Sequence, residues 1–179
     1  MMDLRLEIKR LGIKMKKIII TIFALVFFTP SVFAQNLSED EIAIIAVLND
    51  FHDAAAQADI ERYLGYMTSD AVFLGTDEYE RWPMQPEFIE YVDGRFSAGG
   101  WSYYSTNKHI NFSQDGSVAW FDETSISNSM GGHFRGSGVL ELINGEWKIA
   151  HYVLSVLVYN EIWEGVMELI TVEREKREE

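Results

Sequence analysis

The chain contains no cysteine and only three prolines in 179 residues. The first absence excludes disulfides, CxxC redox pairs, thiolate metal sites and a lipidated cysteine. The second excludes a proline-rich linker or recognition segment. Basic residues are scarce as well: 15 Lys+Arg stand against 28 Asp+Glu, a formal net charge of −13. A field of that sign repels phosphate backbones and anionic lipid, so no nucleic-acid partner is expected. No apolar run reaches the ~20 residues that span a bilayer, since the longest, Ile18 to Phe28, has eleven. Motifs of the types H-E-x-x-H, G-x-S-x-G, P-loop and EF-hand are missing, and His52, His109, His133 and His151 lack metal-ligand spacing. No metal and no cofactor is therefore expected.

What is present begins with a leader. Lys14-Met15-Lys16-Lys17, the run Ile18–Phe28 and Pro30-Ser31-Val32-Phe33-Ala34 have the basic start, short apolar centre and small-residue exit of a secretory signal peptide. Residues 1–34 are read as that signal, cleaved after Ala34, with residues 1–14 an upstream extension if Met15 is the true start. The mature protein is then expected in the periplasm or medium, with no membrane anchor after cleavage. It retains nine basic and twenty-six acidic side chains, a net charge of −17. Residues 35–172 suit one domain around a single core, and the charged segment 173–179 is expected to fray.

Helices come first. Ser38 and Glu41 form a capping-box pattern, followed by Ile44, Leu48, Phe51 and Ala55 at helical spacing. A short helix is expected after Asp59 with Ile60, Tyr63, Leu64 and Met67. Ala71-Val72-Phe73-Leu74 is a short apolar run that Gly75-Thr76-Asp77 interrupts. A third helix is expected from Pro86, burying Phe88, Ile89, Val92 and Phe96 and ending at Gly99-Gly100. Strand patterns then dominate: Trp101–Phe112, Val118–Ile126 and a long hairpin, before a last helix capped by Asn160.

That hairpin carries the strongest local signal. Asn144-Gly145 suits a two-residue turn with positive φ at both positions. Uninterrupted pairing from it matches Leu142 with Trp147, Leu140 with Ile149, Gly138 with His151 and Gly136 with Val153 on one face, and Glu141 with Lys148 on the other. Arg135, Ser137, Val139, Ala150, Tyr152, Leu154 and Val156 then share the opposite face. An apolar sheet face of that kind asks for a cover, and a homodimer is the expected one.

Asp59, Asp70-Ala71, Gly75-Thr76-Asp77, Glu80-Arg81-Trp82, Asp115-Gly116, Ala119-Trp120-Phe121, Arg135 to Leu140 and Trp147-Lys148-Ile149, in this order and spacing, resemble the SnoaL-like branch of the nuclear transport factor 2 (NTF2-like) superfamily. The resemblance covers roughly residues 40 to 161. It implies an α+β cone, with N-terminal helices packed on a strongly curved, mainly antiparallel sheet around a pocket, and usually a dimer. Similar sequences often carry His or Asn where this chain has Val153, and prolines where it has Leu157 and Tyr159. Such a fold hosts isomerases, cyclases, hydrolases, binding modules and association domains, so it does not by itself select a function.

The candidate site follows from the hairpin's glycines. Gly138 and Gly136 leave room either for the ring of His151 or for a ligand beside it. With even residues of the preceding strand in phase, Trp120 and Asp122 face that space and an Asp122–His151 acid–base pair is expected; with the opposite parity Phe121 and Glu123 point inward instead. A carboxyl in an apolar pocket is a candidate general base. Tyr66, Trp82, Trp101, Trp120, Gly138 and Val153 are the expected ligand-binding residues, with Trp82 at the mouth. Three functions stay open: an exported protein that binds a small, largely apolar molecule; a cofactor-independent isomerase, cyclase or hydrolase; and a non-catalytic association module.

Overall fold

A computed structural model describes residues 37–127 and 130–178; the leader and its cleavage point lie outside them. Ser38 caps the first helix, α1 (Glu39–Ala56). Its hydroxyl accepts the Glu41 amide at 3.1 Å, and the Glu41 carboxylate accepts the Ser38 amide at 2.6 Å, so two amides left over at the helix start are satisfied. Ile44, Leu48, Phe51 and Ala55 are buried as their spacing requires, and His52 is buried beside them. Asp59 caps the short α2 (Ile60–Gly65) through the Arg62 amide.

Six strands follow: β1 (Met67–Leu74), β2 (Arg81–Pro83), β3 (Tyr104–Phe112), β4 (Val118–Ser127), β5 (Gly132–Ile143) and β6 (Glu146–Val156). Between β2 and β3 lie a turn of wide helix, Met84–Phe88, which takes Pro86, and α3 (Ile89–Ser97). Val92 and Phe96 bury from α3 and Phe88 from the preceding turn. The sheet order is β2-β1-β6-β5-β4-β3. The expected four-strand meander is present as β3 to β6, and β1 adds to its edge parallel to β6. Trp101 to Tyr103 precede β3 instead of opening it.

The hairpin turn forms as read, with φ of 53° at Asn144 and 84° at Gly145. Leu142 pairs with Trp147, Glu141 with Lys148 and Leu140 with Ile149. There the expected register ends. Val139 pairs with His151, so Ala150 is an extra residue in β6 and every later pair is displaced by one: Gly138 with Tyr152, Ser137 with Val153, Gly136 with Leu154. A bulge of this kind turns the following side chains over. Tyr152 and Leu154 therefore bury in the core, and His151 and Val153 move to the outer face with Ser137 and Val139. The same irregularity continues into β1, where pairing with β6 jumps from Met67 to Val72.

An aromatic stack fills the space between helices and sheet. Tyr152 lies parallel to Phe73 at 5.2 Å, Phe73 to Phe88 at 4.8 Å, and Phe51 to Tyr63 at 4.2 Å between ring centroids. Each fully buried ring stabilises the fold by a few kcal/mol at ~25 cal/mol per Å² of apolar surface. After a short 3-10 turn (Asn160–Ile162), the last helix, α4 (Trp163–Glu178), carries no buried residue. The segment 173–178 expected to fray is part of this helix, and it has a partner. Arg174 pairs with Glu78 at 2.8 Å and Arg177 with Asp77 at 3.2 Å, while Arg177 also sits over the Tyr79 ring.

Candidate functional site

The strand β4 settles its parity through its pairing with β5. Ala119, Phe121, Glu123, Ser125 and Ser127 face inward, and Glu123 has no solvent-exposed surface. Its Oε1 accepts two hydrogen bonds, from His52 Nε2 at 2.6 Å and from the Tyr152 hydroxyl at 2.7 Å. Its Oε2 lies 3.7 Å from the Lys108 ammonium, which donates to Asn49 Oδ1 at 2.7 Å. Burial pushes the Glu123 carboxyl up, but the His52 bond and charge, the Tyr152 hydroxyl and Lys108 outweigh it and hold it below its ordinary value. An ionised carboxylate only accepts, so His52 donates through Nε2–H. Burial, and then the Glu123 charge, raise the Tyr152 phenol well above its usual range, so it stays a donor.

Glycine makes this network possible. A Cβ at Gly136 would stand 2.3 Å from the Tyr152 hydroxyl and 2.7 Å from Glu123 Oε1; one at Gly138 would meet the His151 carbonyl at 2.1 Å and the Phe121 ring at 2.8 Å. The room left by these glycines is thus taken by Tyr152, Glu123 and Phe121, and neither the His151 ring nor a ligand occupies it. The expected Asp122–His151 pair facing a cavity is corrected accordingly. Both residues lie on the outer face, where Asp122 is 52% exposed and faces His109 at 3.1 Å. Trp120 and Val153 share that face.

An open cleft does exist, at the mouth of the curved sheet. It has a volume of about 450 Å³ and is lined by Trp82, Tyr91, Trp101, Tyr103, Phe73 and Leu154, with Glu80 and Arg95 as its charged groups and Gly75, Thr76, Gly100 and Met130 along its edges. Trp82 and Tyr91 stack at 4.1 Å, and Trp101 stands 6.1 Å from Tyr91 at 36°. Gly100, at φ 71°, places its Cα where a Cβ would strike the Ala55 carbonyl at 2.3 Å, and so brings Trp101 against the end of α1. Burial raises the Tyr91 phenol, and raises that of Tyr103 to about 12. Of the residues expected to bind a ligand, Trp82 and Trp101 line this cleft. Tyr66 instead donates its hydroxyl to Asp50 beside Arg62, and Trp120, Gly138 and Val153 are elsewhere.

His52 also reaches a smaller hollow of about 300 Å³, lined with Asn49, Asp53, Ala56 and Ser102 to Ser105. Sequence reading missed His52, although it stands four residues after Leu48 on the buried stripe of α1, a position where an imidazole needs a partner. Tyr91 and Arg95 were equally legible as an i, i+4 pair on one face of α3. Among the described residues no group of three metal-binding side chains occurs, and no helix is long and apolar enough to cross a membrane.

Comparison with known proteins agrees with this architecture. A sequence model of the SnoaL-like domain matches residues 44–159, and the chain belongs to that family. An NTF2-like protein of unknown function from Pseudomonas putida superimposes with a TM-score of 0.59 at 13% identity, covering 70% of this chain and 93% of that one. A protein with a cystatin-like fold from Nostoc punctiforme gives 0.56 at 18%, covering 69% and 96%. An NTF2-like protein from Methylobacillus flagellatus gives 0.52 at 24%, covering 69% and 97%. These likenesses establish the fold. No curated protein matches the sequence. The family match ends at Tyr159, so α4 lies beyond it.

Proposed function

We propose that the protein binds a small, mainly apolar molecule in the aromatic cleft between Trp82, Tyr91, Trp101 and Tyr103. One observation carries this reading. Four large aromatic side chains are only half-buried around a volume of about 450 Å³. Sites for small molecules are typically apolar hollows of that size with a few polar groups. Tryptophan at the walls supplies the measurement: titration of a ring-bearing ligand should quench intrinsic fluorescence, and Trp82→Ala, assayed at a temperature where it remains folded, should abolish saturable binding. Binding retained in Trp82→Ala would reject the cleft.

A catalytic reading rests on His52. Its Nε2 is held by Glu123 at 2.6 Å while the residue borders a hollow, an arrangement in which a carboxylate orients an imidazole for proton transfer. A turnover that survives His52→Gln would exclude it. Export is proposed from the leader alone, and an intact mass beginning at Gln35 for protein recovered outside the cytoplasm is the test. A homodimer through the outer sheet face is proposed because Trp120 is 47% exposed there beside Val139, Val153 and His151, on a face that also includes Val72 and Leu74.

A further inference from the structure

We infer that the occupant of the aromatic cleft is a planar ring bearing a carboxylate, with Arg95 as its charge partner; this rests on the cleft being the binding site. Arg95 is the only cation lining the cleft. The chain carries nearly two acids for every base, yet among the described residues no carboxylate lies within ion-pair distance of this guanidinium; Arg62, Lys108, Lys148, Arg174, Lys176 and Arg177 are paired, and the other two without an ion pair, Arg81 and Arg135, do not line the cleft. Arg95 is exposed at the cleft and is left free to neutralise an anion there. Its planar fork matches a carboxylate in geometry as well as in charge.

The neighbouring polar groups point the same way. Tyr91 lies one helical turn before Arg95 on α3, so both reach the cleft from one helix face. The Tyr91 and Tyr103 hydroxyls have no hydrogen-bond partner among the described residues. Both are protonated at neutral pH because burial opposes their ionisation, and each therefore offers a proton to an acceptor. The one carboxylate of the lining is already engaged: Glu80 Oε2 accepts the Asp77 amide at 3.0 Å and lies against Gly75. Three donors without partners stand beside one carboxylate, whose Oε2 already accepts an amide; donor groups outnumber acceptor groups on these walls, which favours an acceptor-rich ligand. The flat walls of Trp82, Tyr91 and Trp101 supply stacking surface for the ring.

Three probes of one shape test the inference on the purified protein by calorimetry or fluorescence: 3-phenylpropionate, 3-phenylpropanol and benzyltrimethylammonium. The acid is expected to bind about 10-fold or more tighter than the alcohol, the range of a charge-assisted hydrogen bond. In Arg95→Gln that preference should vanish while the alcohol's affinity stays the same. Equal affinity for acid and alcohol, a preference that survives Arg95→Gln, or tightest binding of the ammonium, which would assign the charge role to Glu80, overturns the carboxylate and leaves the cleft standing. Failure of all three probes to bind at millimolar concentration overturns the cleft as well.

Discussion

His52 Nε2 lies 2.6 Å from Glu123 Oε1, a bond that joins the first helix to β4, the strand beside the β3 edge of the sheet, across 71 residues of chain. Glu123 has no exposed surface and His52 very little, so the pair works in a poorly screened interior. Removing one member leaves the other desolvated and alone. Glu123→Ala is expected to cost about 3–5 kcal/mol, the range for breaking a buried pair from one side. Glu123→Gln, which keeps an acceptor for Tyr152, should cost less. Urea unfolding of the two variants measures the difference, and equal midpoints for Glu123→Ala and the parent would refute the coupling.

The same carboxyl gives acid sensitivity a sign. Glu123 is held below its ordinary value of 4.5. A depressed carboxyl contributes stability that is fully present above the unfolded value and is lost as pH falls through the folded one. Asp115, held at about 2 by Ser113 and Ser117, acts in the same direction at the surface. Stability should therefore decline as pH drops below about 4.5, and Glu123→Gln should flatten part of that decline. Midpoints at pH 7, 4.5 and 3 provide the comparison, and parallel curves for the two proteins would assign the acid limb elsewhere.

Gly136 and Gly65 make a matched pair of substitutions. A methyl at Gly136 meets the Tyr152 hydroxyl and Glu123 at once, while one at Gly65 meets nothing within 4 Å. Gly136→Ala is expected to lose about 1–3 kcal/mol by overpacking. Gly65→Ala should be neutral or slightly stabilising, by less than about 1 kcal/mol, because it closes a helix without a contact.

Trp120 supplies the test of assembly. It is exposed on the outer face, and Trp120→Glu is expected to lower the mass seen by light scattering from dimer to monomer while the far-UV spectrum stays that of the folded chain. An unchanged mass would move the interface away from this face.

The ion pairs of α4 act on a loop instead of on the core. Arg174 and Arg177 hold Glu78, Asp77 and Tyr79, and the flanking Gly75, Thr76 and Glu80 form an edge of the aromatic cleft. Because such surface pairs are screened by salt, Arg174→Ala/Arg177→Ala should leave the unfolding midpoint unmoved and speed hydrogen exchange of the Asp77 and Tyr79 amides. High salt should reproduce the effect in the parent protein.

Much of this architecture can be read from residue patterns because it depends on local chemistry. The capping box at Ser38, the stripe from Ile44 to Ala55 and the Asn144-Gly145 turn each specify themselves within a few residues. The face presented by β4 is different in kind. It depends on how a strand pairs with a neighbour, and both parities were compatible with the alternation of Val118 to Ile126. Ala150 carries no chemical mark of an extra residue, since alanine fits a regular strand as well as a bulge. The inward residues were misassigned beyond that point for this reason: His151 and Val153 were placed where Tyr152 and Leu154 stand. Of the rings singled out from the sequence, Trp82 and Trp101 line the cleft, and Tyr66 and Trp120 do not.

The extra residue at Ala150 also bears on how this chain can be compared with its relatives. A relative whose last strand runs without interruption aligns with this one up to Ile149 and then requires a gap. Without that gap, a wall residue of such a relative falls opposite a surface residue here, such as Val153, which pairs with Ser137 on the outer face. The residues that occupy the interior at this level are Tyr152 and Leu154. Functional positions transferred along this strand by counting alone would be off by one for its whole second half.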